Sequence, residues 1–294
     1  MYYSDQTIVF LNGRYINAKE ATTSLYSQTM HYGNGVFEGI RSYTTPEGTS
    51  IFKAREHYER LLYSAKKMHI RLNYSSQELE GITYTLLKKN NLSNAYIRPL
   101  VYLNENMSLT PADGTNLFIA AWEWGSYLGN ELQRVMLSSY QRPNPKSCYI
   151  DAKIAGHYTN SILAATEAKL SGFDEALLLD ADGFVAEGSA ANFFYEKEGV
   201  LFTPCKTNIL PGITRATIFE LADELGFSVK EQQFTPDVLK EADSAFFCGT
   251  AAEVAGIASL DNIPFKKQWE DSLGYIIQKG YKKLVTQKRK LTVA

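Results

Sequence analysis

The sequence predicts a mixed α/β (α+β) fold divided into two domains, and three observations lead there. The chain has 294 residues, about twice the ~150-residue prior for one domain. Apolar runs of strand length alternate along it with segments whose apolar residues recur every three or four positions. Between Trp124 and Arg134, the segment WGSYLGNELQR carries two glycines and loses apolar periodicity, which suits a connection between compact units. The expected division is a smaller N-terminal α/β domain over residues 1–122, a connection over 123–134 and a larger C-terminal domain over 135–294.

The opening QTIVFLNGRYI reads as two short strands around Asn12-Gly13, a dipeptide that tolerates the positive φ angles of a tight hairpin. From Tyr58, the positions Leu61, Leu62, Ala65, Met68 and His69 predict one buried face of a helix, with Arg60 near its start. A second, polar-faced helix is expected over Ser76–Asn90, followed by buried strands in YIRPLVYL (96–103) and NLFIAAWEW (116–124). In the second half, ALLLD, FVAEG, NFFYE, VLFTP and AFFCG read as strands, with turn signals such as Asp182-Gly183 and Glu198-Gly199 between them. Helices are expected over His157–Leu170 and Thr214–Leu225. The latter sets Ile218, Leu221, Ala222 and Leu225 on one face and stops at Gly226, the residue suited to a left-handed helix end.

Composition narrows the function. Hydrophobic residues make up 45% and charged residues 21%, which argues against disorder, collagen-like repeats and coiled coil. Thirty basic against thirty-two acidic side chains give a net charge of -2, so no global field attracts nucleic acid or an anionic membrane. Cys148, Cys205 and Cys248 form no CxxC pair, suggesting neither a disulfide framework nor a zinc ribbon, and a reducing compartment. His31, His57, His69 and His157 lack HxxxH or HExxH spacing, so structural roles are expected of them and no metal site. The N-terminus lacks the pattern of a signal peptide and no apolar run nears the ~18 residues of a membrane span, so a cytoplasmic protein is expected. The basic end KKLVTQKRK is read as a solvated helix face or tail before a binding patch.

Four segments could carry chemistry. In LPGITRATIFELADELG (210–226), a Pro-Gly turn precedes a helix, so the N–H groups of Ile213 and Thr214 offer an anion site; a plain helix start is the blander alternative. In FFCGTAAEV (246–254), the small residues Gly249, Thr250, Ala251 and Ala252 would let a ligand touch the backbone, or simply pack tightly. Lys153, in YIDAKIAGHYTNSILAA, sits among apolar and small residues, where a lysine is costly to bury unless covalently engaged; alternatively its ammonium reaches water from a strand end. Glu187, in VAEGSAANFF, is a carboxylate among small apolar residues and needs a partner.

Taken with HYGNGVFEGIR (31–41), REHYERL (55–61), AYIRPL (95–100), AWEWGSYLG (121–129), K-x-x-G-x-Y (153–158), GFDEALLLDADGFVAEGSAANFF (172–194), LPGITR (210–215) and GTAAE (249–253), the chain resembles the branched-chain aminotransferases, enzymes of fold type IV that use pyridoxal 5′-phosphate. The resemblance covers nearly the whole chain. It implies a small N-terminal α/β domain, a larger domain on a β-barrel-like core, the cofactor at their junction, and at least a homodimer. It implies that Lys153 carries the cofactor as an imine and acts as the catalytic base, with Tyr158 near the phenolic oxygen and Glu187 at the pyridine nitrogen. Arg60, Thr214, Thr250 and the N–H of Ile213 would hold the phosphate beside Gly212 and Gly249, and Leu210 would pack on the ring.

For the substrates, an amino acid and a 2-oxo acid, the resemblance implies walls from Tyr32, Phe37, Gly39, Trp124 and Tyr127, and Arg98 for a distal carboxylate. Met107 and Leu109 would reach over from a partner subunit. Tyr96 and the backbone of Thr250, Ala251 and Ala252 would meet the α-carboxylate; ordinary core packing remains the other reading of Trp124. Ala155 and Gly156 precede His157 where family members often have two glycines, and Ala190 and Ala191 stand where glycine and glutamate are common, which bears on substrate preference. HYGNGVFEGIR and AYIRPL favour branched-chain L-amino acids over the substrates of D-amino acid aminotransferase, aminodeoxychorismate lyase and R-selective amine transaminase. Lys153 and Glu187 together weigh against a non-catalytic cofactor-binding protein.

Overall fold

The structure, a computed structural model, describes residues 2–111, 113–125 and 131–287. Two compact units divide the chain: one holds the described residues up to Gly125 together with Ala152–His157, the other those from Glu131 to Asp151 and Tyr158–Val285.

The first unit runs β1 (Ile8–Leu11), β2 (Arg14–Asn17), α1 (Gln28–Tyr32), β3 (Gly35–Phe37), β4 (Ile40–Thr45), β5 (Gly48–Ile51), α2 (Ala54–Lys67), α3 (Ser76–Lys89), β6 (Ala95–Leu103) and β7 (Thr115–Trp122). Its strands form an antiparallel sheet in the order β2-β1-β7-β6-β4-β5, with β3 also paired to β6. The expected first hairpin is present. Asn12 (φ 48) and Gly13 (φ 85) both take the left-handed region, and the Asn12 side chain also accepts from Leu117 N–H at 2.9 Å.

Period-two alternation sorts β6 into two faces. Ile97, Val101 and Leu103 join Leu117, Ile119 and Ala121 of β7 in the core under α2 and α3, which leaves Tyr96 and Arg98 on the opposite face.

The helix expected from Tyr58 starts four residues earlier, at Ala54, and ends at Lys67. His69 is not part of its buried face. It is exposed with φ 56 and takes the left-handed position at the helix end, where Ile70 N–H reaches back to Ala65 O at 2.9 Å and His69 N–H to Lys66 O at 3.1 Å. The second helix matches its expected span to within a residue, and Ser75 and Glu78 cap it reciprocally.

The second unit runs β8 (Gln133–Gln141), α4 (Tyr158–Leu170), β9 (Glu175–Leu179), β10 (Val185–Gly188), β11 (Asn192–Lys197), β12 (Val200–Thr203), α5 (Ile213–Glu224), β13 (Ser228–Glu231), β14 (Ser244–Gly249), β15 (Glu253–Leu260), β16 (Ile263–Pro264) and α6 (Leu273–Thr286). The order β10-β9-β8-β15-β14-β11 closes on itself, because β11 pairs back with β10 at Asn192 and Glu187. The result is a barrel-like ring extended by β12 and β13. Val135, Leu177, Val185, Phe193, Phe247 and Ile257, from all six ring strands, meet in one apolar cluster. Such side chains stabilise by ~1.5–3 kcal/mol each on full burial.

α5 keeps Ile218, Leu221 and Ala222 buried. Leu225 departs from the expectation: it is the C-cap residue and 42% exposed. Gly226 (φ 75) turns the chain, so that Phe227 N–H closes on Ala222 O. No helix among the described residues is long and apolar enough to cross a membrane.

Candidate active site

Lys153 belongs to the first unit because its backbone is tied there on both sides. Its N–H donates to Ser64 Oγ at 3.0 Å and its carbonyl accepts from Phe37 N–H at 3.1 Å. Val36 and Ile154 form an antiparallel bridge, and Gly156 N–H donates to Gly33 O at 3.1 Å. A Cβ on Gly33, whose φ is 67, would stand 2.7 Å from Gly156 Cα, and one on Gly156 would stand 3.3 Å from Gly33 O; the close approach requires glycine at 33 and leaves little room at 156. The Lys153 ammonium lies 4.9 Å from the Phe37 ring centroid.

Phe37 also supports Arg98, whose guanidinium carbon lies 4.6 Å from the same ring centroid. Arg98 Nη2 donates to the Tyr96 hydroxyl at 2.9 Å, while its buried Nε has no partner among the described residues. A buried unpaired donor is costly, and a carboxylate would satisfy it. A Cβ on Gly39 would come 2.1 Å from the Tyr96 hydroxyl, so only glycine there lets Tyr96 sit as it does. Trp124 packs edge-on against Tyr96, ring centroids 4.7 Å apart, and its carbonyl accepts from Arg41 Nη2 at 3.3 Å. Trp124 thus does pack in an aromatic cluster, against the tyrosine expected at the α-carboxylate.

Tyr32 and Met107 are joined by a hydrogen bond of 3.1 Å from the tyrosine hydroxyl to the methionine carbonyl. Met107 (51%) and Leu109 (87%) are exposed. Tyr127 lies outside the described residues.

Arg60 sits in the second turn of α2 and is bound by a residue to which the sequence assigned no role. Glu38, wholly buried, accepts from Arg60 Nε at 2.7 Å and Nη2 at 3.0 Å. It also accepts from His57 Nδ1 at 2.8 Å and Gly39 N–H at 3.2 Å. Burial alone would raise the Glu38 pKa, but the charge of Arg60 and the contact with His57 hold it well below the usual carboxylate range. For His57, burial, helped by the positive charges of Arg60 and Lys153, outweighs Glu38 and lowers the pKa.

In the second unit, Glu187 is buried on β10 and held on both oxygens. Oε1 accepts from Leu210 N–H at 3.2 Å and lies 2.9 Å from Arg142 Nε; Oε2 accepts from Asn192 Nδ2 at 3.0 Å. The Arg142 contact is an ion pair rather than a hydrogen bond, since Nε is not directed along it. Asn192 Nδ2 also donates to Leu210 O at 3.0 Å, and a Cβ on Gly212 would meet Asn192 Oδ1 at 2.0 Å. Asn192 therefore couples Glu187 to the turn that starts α5.

Gly212 caps α5 with no side-chain hydrogen bond. The first-turn N–H groups of Ile213 and buried Thr214 have no acceptor within the helix, the arrangement that receives anions. Thr250, Ala251 and Ala252 form the tight turn between Gly249 of β14 and Glu253 of β15. Tyr158 opens α4.

Taken unit by unit, the donors suit the chemistry of pyridoxal phosphate: the first unit offers a held lysine amine for an aldehyde and an arginine for a phosphate, and the second a buried carboxylate for a pyridinium nitrogen and an uncapped helix start for an anion. Among the described residues, no three His, Cys, Asp or Glu side chains cluster as metal ligands.

Residues 35–260 match the model of the amino-transferase class IV family. The chain belongs to the class IV aminotransferases. A branched-chain-amino-acid aminotransferase of Pseudomonas aeruginosa is 43% identical to this class IV chain over 288 residues, 96% of it and 94% of the relative. The crystal structure of the Escherichia coli branched-chain amino acid aminotransferase superposes with a TM-score of 0.93 at 38% identity, covering 98% of both chains. That of the Thermobaculum terrenum branched-chain amino acid aminotransferase, in its PLP-bound holo form, does so with a TM-score of 0.89 at 31% identity, covering 96% of this chain and 94% of that one.

Of the residues that hold these class IV groups, Glu38, His57, Ser64, Arg142 and Asn192 were not singled out as site residues from sequence. One signal was available: His57, Arg60 and Ser64 recur at three and four residues, one helix face.

Proposed function

We propose that the chain exchanges amino groups between the branched-chain L-amino acids leucine, isoleucine and valine and 2-oxoglutarate, with pyridoxal 5′-phosphate as cofactor. The observation that carries this is the tethering of Lys153 by Ser64 and by Phe37, in a chain whose relatives at 41–43% identity are branched-chain-amino-acid aminotransferases. The cofactor, when bound, supplies an electron sink that lets a substrate Cα–H ionise.

The residues of this chain do the rest. Lys153 would hold the cofactor by its aldehyde, and its Nζ is the base that would take the proton from the substrate Cα. Glu187, its carboxylate oriented by Asn192 and Leu210, would accept from the pyridine N–H. Arg60, Thr214, Thr250 and the N–H of Ile213 would receive the phosphate beside Gly212 and Gly249, and Leu210 and Tyr158 would bound the ring. Phe37, Gly39, Tyr32 and Trp124 would form the aliphatic wall. Arg98 meets the distal carboxylate of glutamate with its unpartnered Nε. Tyr96 and the Thr250–Ala252 turn hold the α-carboxylate.

The working assembly is at least a homodimer, for which the exposed Met107 and Leu109 supply apolar contact surface, and the setting is the cytoplasm, which the free thiols of Cys148, Cys205 and Cys248 suit. Borohydride reduction of the purified protein with pyridoxal phosphate, followed by peptide mapping, should place the label on Lys153, and L-leucine with 2-oxoglutarate should yield glutamate. A label elsewhere would refute the chemistry; turnover of D-alanine without L-leucine would refute the substrate class.

A further inference from the structure

The Glu38–Arg60 pair is almost withdrawn from solvent: the Glu38 side chain is 0% exposed and the Arg60 side chain 13%. Buried ion pairs are poor sources of stability, because desolvation costs about what the pairing returns. This one has four donors converging on a single carboxylate. Two of them, Arg60 Nε and Nη2, hold the guanidinium by one edge, which fixes its plane and turns the Nη1 side away from Glu38. The carboxylate is itself fixed. Glu38 N–H donates to Pro99 O at 2.9 Å and Gly39 N–H folds back onto Oε2, while His57, one helical turn before Arg60, adds its Nδ1–H. A carboxylate only accepts, so the ring nitrogen is the donor. His57 is kept neutral by burial and by the nearby Arg60 and Lys153 charges, so the group carries one negative and one positive charge.

We propose that Glu38, braced by His57, is a positioning residue that orients Arg60 to grip the phosphate monoester of the cofactor. The inference rests on the reading of the cofactor given above. It makes a prediction opposite in sign to a charge argument. Glu38 neutralises Arg60, so if net charge governed phosphate binding, removing the carboxylate would strengthen it. If orientation governs, removal weakens it.

The test is equilibrium binding to the full-length protein freed of cofactor, with pyridoxamine 5′-phosphate and with its dephosphorylated form, pyridoxamine, neither of which can form an imine with Lys153. Glu38→Gln should lower affinity for the phosphorylated ligand about tenfold, the scale of a charge-assisted hydrogen bond lost, and leave pyridoxamine within about twofold. His57→Gln, prepared alongside, should give a smaller loss of the same preference and carries the test if Glu38→Gln does not fold. In an Arg60→Ala background, Glu38→Gln should change the preference no further. An equal loss for both ligands, or a gain for the phosphorylated one, overturns the proposal. Wild-type protein that binds neither ligand overturns the cofactor reading as well, and so is told apart from failure of the positioning role alone.

Discussion

Each unit of the molecule buries a glutamate against an arginine, and the roles proposed for the two pairs run in opposite directions. At Glu38 in the first unit, the arginine is the group proposed to do the work and the carboxylate its holder, gripping Arg60 by two nitrogens. At Glu187 in the second, the proposed working group is the carboxylate. It accepts hydrogen bonds from neutral donors, Leu210 N–H and Asn192 Nδ2, while Arg142 contributes charge at 2.9 Å without a directed bond. A salt bridge by itself therefore says little about function; which partner is held, and by what, says more.

Three experiments would break or sharpen that contrast. The largest effect is expected from Glu187→Gln. A neutral amide can still accept from Leu210 N–H but no longer supports a protonated pyridine, so kcat should fall on the order of 10²–10³-fold. The preference for pyridoxamine 5′-phosphate over pyridoxamine should stay unchanged, unlike in Glu38→Gln. If Glu187→Gln shifts that preference while sparing kcat, the two carboxylates have been assigned the wrong way round.

A smaller effect is expected from Gly39→Ala. The added methyl would come 2.1 Å from the Tyr96 hydroxyl, forcing the ring away and releasing Arg98 from its hydrogen bond. KM for 2-oxoglutarate should rise about tenfold, well within what a misplacement of about 1 Å can cost. KM for leucine should rise less, because no distal carboxylate is involved. An equal rise for both substrates in steady-state assays would remove Arg98 from the recognition of glutamate.

The smallest effect is on stability against acid. Glu38 and His57 both have pKa values lowered in the folded protein from ordinary values of 4.5 and 6.5. The unfolded chain therefore binds more protons as pH falls. The His57 contribution is fully present above about pH 6.5 and declines below it; that of Glu38 is present above about pH 4.5 and is lost as pH falls towards its folded value. Urea midpoints measured from about pH 8 to about pH 4 should drop with acid, and His57→Gln should flatten the part of the curve between about 6.5 and about 5. A curve identical to wild type would show that His57 titrates as if exposed.

Local features were legible because they rest on near neighbours. Asn12-Gly13 specifies its hairpin through two positive φ angles, and Gly226 ends α5 through one more. Spacing alone misplaces two residues: His69 continues the period of α2 but occupies the left-handed position that ends it, and Leu225 continues that of α5 but caps it. Strands β8 and β15 carry a weak pattern, since the polar positions of QRVMLSSYQ and the small residues of EVAGIASL blur the alternation.

The site divides along the same line. Lys153, Glu187 and the Pro-Gly turn before α5 stood out in the chain because each is a residue type at odds with its immediate surroundings, and such a conflict is visible within a few positions. The partners that hold them did not. Asn192 meets Glu187 because the ring of strands closes between β10 and β11 in that register, Ser64 meets Lys153 across 89 positions, and Glu38 reaches Arg60 across 22. Linear pattern names the groups that need a partner. Long-range strand register and helix packing decide which partner arrives, because only the folded backbone brings distant donors within hydrogen-bonding distance of a buried charge.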